Sequence, residues 1–165
     1  MESVEKYFHG EKSESWLFIV LGIVTLALAL YFVFDLKTSF WRGMAIPFIA
    51  VALLEFTVGI TLVLRTPKDI SRVENFITRE PQKIETEEIP RMEKVMTQFV
   101  VFRYAEIALL IIGIFFMYQT KDDTLWRGIG FGLFTQASVV LVLDFFAERR
   151  GHHYLKFLTD FTERL

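Results

Sequence analysis

Residues 41–69 read WRGMAIPFIAVALLEFTVGITLVLRTPKD. From Met44 to Leu64 there are 21 residues and only Glu55 is charged, enough to cross a hydrocarbon core of about 30 Å as a helix rising about 1.5 Å per residue. A run of this length predicts a membrane span, and a carboxylate at its centre predicts polar chemistry placed deliberately in lipid.

Outward from it, three more apolar runs repeat the pattern. Residues 16–34 form the first predicted span, opened by the interfacial Trp16; residues 44–64 form the second, 99–118 the third and 129–146 the fourth. The connections at 35–40 and 121–124 hold little more than a turn, so the spans pair as two antiparallel helical hairpins. The chain is 53% hydrophobic with 18 Phe, yet 23% charged, so its charges are segregated from its apolar runs. The expected fold is all-α, an integral membrane four-helix bundle.

Composition also narrows function. With no cysteine, disulfides, thiolate nucleophiles and thiolate metal sites are excluded. A net charge of -2 gives no basic footprint, and no nucleic acid partner is expected. The start, MESVEKYFHGEKSES, is acidic and unlike a cleavable signal peptide, so the first apolar run is read as a retained anchor.

The polar segments are amphipathic. Val4, Tyr7 and Phe8 share a helical face before Gly10, which is expected to end a short helix; Ile70, Val73, Phe76 and Ile77 do so after a stop and restart at Pro67; Tyr154, Leu158, Phe161 and Leu165 do so in the tail. These predict three interfacial helices lying on the membrane. Residues 81–90 read as an acidic linker, and Pro90 opens a helix that runs on into the third span. Placing both termini and residues 65–98 on one side collects thirteen of the 18 basic residues there. The positive-inside rule makes that side the cytoplasm, in a bacterial inner membrane or its equivalent.

A weak internal repeat accompanies this plan. At an offset of 85 residues, Trp41-Arg42-Gly43 meets Trp126-Arg127-Gly128, Ala52 meets Ala137, Arg65 meets Arg150 and Phe76 meets Phe161. Residues 1–80 and 91–165 then form two parallel helical-hairpin repeats, each with its interfacial helices, related by an axis along the membrane normal.

Small residues at Ala45, Ala52 and Gly59, and at Gly130 and Ala137, suit close helix packing in lipid. Glu55 shares their face, as Glu106 shares one with Gly113 and Asp144 one with Ala137. Transport or ligand candidates are therefore Glu55, Glu106, Asp144, Gln136 and Thr25. Arg103, Arg149 and Arg150 are candidates for edge ion pairs with Glu106 and Asp144, by snorkelling. No basic residue shares the depth of Glu55, about 15 Å from Arg65 at the helical rise, so Glu55 is expected to be carried as the neutral acid, hydrogen-bonded to Thr25, Thr57 or Gln136. His9, His152 and His153 are the only histidines, and no metal site or cofactor is expected from them.

No reaction is legible, and no catalytic residue is assigned. The sequence favours a non-enzymatic scaffold, regulatory or accessory subunit acting through its cytoplasmic amphipathic helices. The alternative is an oligomeric ion channel or proton-coupled transporter using Glu55; an intramembrane enzyme acting on lipid or quinone stands behind both. Expected partners are membrane lipids and either further copies of the chain or another membrane protein.

Overall fold

A computed structural model describes residues 2–164, with side chains from residue 4 onward. It is all-helical. Helix α1 spans Glu2–Tyr31 and ends in a π-helical turn, Phe32–Leu36; α2 spans Ser39–Arg79, α3 Ile89–Gln119 and α4 Leu125–Thr162. All four are long and apolar enough to cross a membrane. The α1–α2 connection turns on Lys37, at φ 59°, and the α3–α4 connection on Asp123, at φ 56°. The Thr124 hydroxyl accepts a 3.3 Å hydrogen bond from the Arg127 amide and caps α4, satisfying one of the amides that a helix start leaves unpaired.

The helices pack as two antiparallel pairs, α1 on α2 and α3 on α4, joined by a parallel α2–α4 contact. Glycines set each approach. A Cβ at Gly43 would collide with the Leu125 carbonyl, and one at Gly128 with the Phe40 carbonyl, so the two WRG segments hold α2 against α4. Gly59 lies against the Ser15 carbonyl and Gly22 against that of Ala52, fixing α1 on α2. Gly113 and Gly130 face each other's carbonyls, at 2.8 Å from an added Cβ in both directions, fixing α3 on α4. Close backbone approach replaces the hydrophobic drive that lipid removes.

The amphipathic segments do not lie as separate surface helices, which corrects that expectation. At about 1.5 Å per residue the 41 residues of α2 reach about 60 Å, twice the apolar thickness of a bilayer. The surplus continues straight out of the spans. There Val4, Tyr7 and Phe8 of α1, Val73 and Phe76 of α2, Met92 and Met96 of α3, and Tyr154 and Leu158 of α4 form one buried core with Ile84. We call this packed end the dome. Gly10 does not stop α1, because Val4, Tyr7 and Phe8 before it join the dome core, and its missing side chain leaves clearance for Arg150. Pro67 does not stop α2 either, because Val73 and Phe76 anchor the next turns in the dome. The segment read as a linker supplies Ile84 and Glu88 to this interior.

Candidate functional site

Two groups of polar side chains are buried, one in the spans and one where the spans meet the dome. In the spans Glu55, only 4% exposed, has neither carboxyl oxygen hydrogen-bonded. The expected bonds to Thr25, Thr57 and Gln136 are absent. Thr57 instead donates to the Leu53 carbonyl on its own helix, the usual recourse of a hydroxyl in an apolar helix. Thr25 and Gln136 are both buried, on α1 and α4. Glu55 lies between Ala52 and Gly59 on the helix face whose glycine meets α1. Across the other hairpin, Glu106 of α3 and Asp144 of α4 bring their carboxyls together. Glu106 is buried and its Oε2 is unpaired.

The edge arginines choose other acids than those expected. Arg103 pairs with Glu148, not with Glu106 or Asp144. Arg150 crosses to α1 and grips both oxygens of Glu14. Arg149 is exposed and forms no ion pair among the described residues. The physical reason is depth: Glu14 and Glu148 stand nearer the water than Glu106 and Asp144, so a guanidinium reaches them at a lower desolvation cost. His152 lies 3.6 Å from Glu148, while His9 and His153 are exposed, and no three metal-ligating side chains gather among the described residues.

Above the spans sits a charged latch that sequence reasoning missed. Glu88, 1% exposed, accepts hydrogen bonds from Arg91 Nη2 at 2.6 Å and Arg91 Nε at 2.9 Å, from Arg72 at 3.2 Å, and from the Tyr154 hydroxyl at 3.1 Å. Three helices thus converge on one carboxylate. Arg72 also contacts Asp69 at 2.9 Å, Asp69 contacts Arg65 at 2.7 Å, and Arg65 reaches Glu11 of α1 at 3.2 Å. Tyr7 stacks on Tyr154 with ring centroids 4.1 Å apart. Burial pushes both phenols far above their ordinary range and raises the Glu11 carboxyl, against the pull of Arg65. A signal for Glu88 was present: Ile84, Glu88 and Met92 recur every four residues, placing that one acid of the ETEE run on the apolar stripe.

No family model, curated protein or solved structure matches the chain. The reading of this site therefore rests on its own geometry.

Proposed function

We propose that the protein is a non-enzymatic membrane scaffold or accessory subunit that holds another membrane protein, or further copies of itself, beside a rigid cytoplasmic dome. One observation carries the reading: the four helices leave the spans without a break and are tied together by a core and a buried ion network. A body locked at both levels keeps a fixed outer surface, which is what holding a partner requires. The apolar faces of the arms are spent on one another, so contact falls to the outer dome, with exposed Arg79, Lys94, Lys156 and Asp160, and to the lipid-facing sides of the spans. The cytoplasmic placement follows from the basic residues on that side. Gene duplication accounts for the plan, and the reciprocal contacts of Gly43 with Leu125 and of Gly128 with Phe40, residues related by the 85-residue offset, support it.

Site-specific photocrosslinkers at Arg79, Lys94, Lys156 and Asp160 test this in the native membrane. A scaffold gives one defined adduct, of a partner or of a second copy; the absence of adducts from all four and from exposed span positions such as Leu54 and Ile111 would refute it.

The unpaired oxygens of Glu55 favour a second reading, an oligomeric proton-coupled carrier or channel. A bundle of four packed helices leaves little room for a path of its own, so this needs at least a dimer. Proton flux in proteoliposomes that disappears in Glu55→Gln would select it.

A further inference from the structure

We propose that Glu55 is a proton-binding site open only to the dome side of the membrane. The inference rests on neither functional reading, because a site open to one side takes up and releases a proton without carrying it across.

The two ends of the α1–α2 seam differ in kind. Towards the hairpin turn it is closed by Ala29, Phe32, Ala45 and Phe48, none more than 8% exposed, with the Trp41 ring 4.8 Å from that of Phe32. Between this plug and Glu55 the buried polar side chain that α1 contributes is Thr25. Towards the dome the seam is polar. The contact of Gly59 with the Ser15 carbonyl and the ion pair of Arg65 with Glu11 fix the register. Ser15 then stands at the level of Gly59, about 6 Å along the axis from Glu55, and Glu11, one turn further along α1, about 12 Å along it, at the helical rise. Ser15 is fully buried and its hydroxyl donates to the Glu11 carbonyl at 2.7 Å. Glu11 keeps one carboxyl oxygen, Oε2, buried and unpaired. The file from Glu55 through Ser15 to Glu11 thus ends in the charged latch.

A buried water is stable where several polar groups lack partners. Glu55 and Glu11 supply three such oxygens. A lone carboxyl in lipid exchanges its proton along the polar route, since crossing the apolar plug means desolvating a charge completely. The charged groups facing the seam are Glu11 from α1 and Arg65 and Asp69 from α2; from α4 comes Arg150, already paired with Glu14. Among the described residues Glu55 enters no ion pair, so its occupancy by a proton follows the water it communicates with.

The test uses the wild-type chain in proteoliposomes of one orientation, sorted by protease access to the dome, with the pH on each side set independently. Dicyclohexylcarbodiimide, which reacts with carboxyls that hold a proton, is added briefly, and the adduct on the Glu55 peptide is quantified by mass spectrometry with Glu55→Gln as blank. Labelling is expected to fall as the dome-side pH is raised from about 5 to about 9, approaching tenfold per unit once Glu55 titrates, and to ignore the opposite side. Labelling that follows the hairpin-side pH, that follows both, or that is absent throughout the range overturns the proposal. Flux measurements decide the carrier reading separately, so a protein that moves no protons can still pass this test.

Discussion

At the scale of single residues the molecule rests on carboxylates treated in opposite ways. Glu88 is fully buried and fully partnered, while Glu55 is buried with no partner. Removing one member of a buried ion pair leaves an uncompensated charge and costs about 3–5 kcal/mol. Glu88→Ala is therefore expected to strand Arg91, to leave Arg72 with Asp69 alone and to loosen the dome, read as a lower unfolding midpoint and protease cleavage between residues 80 and 89 while the spans stay protected. An unchanged cleavage pattern would show that the latch is ornamental. For Glu55, an infrared difference spectrum of wild type minus Glu55→Gln is expected to show the carbonyl band of a neutral acid at neutral pH; a carboxylate band there would mean that a cation or water supports the charge. Glu55 was legible because a lone charge in an apolar run is conspicuous. Glu88 was passed over because it sits in a polar segment beside Glu85 and Glu87, where only the four-residue recurrence of Ile84, Glu88 and Met92 sets it apart.

At the scale of elements, apolar run length gave the four spans, and connection length gave the hairpins. Continuity was read from the sequence for α3, where Pro90 opens a helix that runs on into the span, but not for α1 and α2. Gly10 and Pro67 are ordinary stop signals, yet α1 and α2 run through both, because tertiary packing outweighs local propensity where the next turn has a core to join. The small-residue pattern was visible, but not its assignment: Ala45, Ala52 and Gly59 serve α1, while Gly43 and Gly128 serve the α2–α4 contact. Gly43→Val or Gly128→Val is thus expected to push α2 from α4 and destabilise the bundle by about 1–3 kcal/mol, the range for overpacking. Gly10→Val meets the flexible side chain of Arg150 and is expected to be milder. If denaturation in mixed micelles ranked Gly10→Val worst, the α2–α4 contact would not be the central one.

At the scale of the whole molecule, spans and dome form one body whose stability depends on pH. The folded Glu11 carboxyl is raised above its ordinary 4.5 by burial, so the folded state binds its proton more tightly than the unfolded chain does. That contribution is complete below pH 4.5 and is lost as pH rises through the folded value. Wild-type unfolding temperature is expected to fall across this window relative to Glu11→Gln; parallel curves would assign the pH dependence elsewhere. The most direct measurement of the dome itself uses the absence of native cysteine. Single cysteines replacing Tyr7 and Tyr154, whose rings stack at 4.1 Å, are treated in native membranes with a short thiol-to-thiol crosslinker. The account predicts rapid closure of a link between α1 and α4 within one chain, in positions shielded from lipid quenchers. Failure to link, with both positions quenched by lipid, would mean that the arms lie on the membrane and that no dome exists.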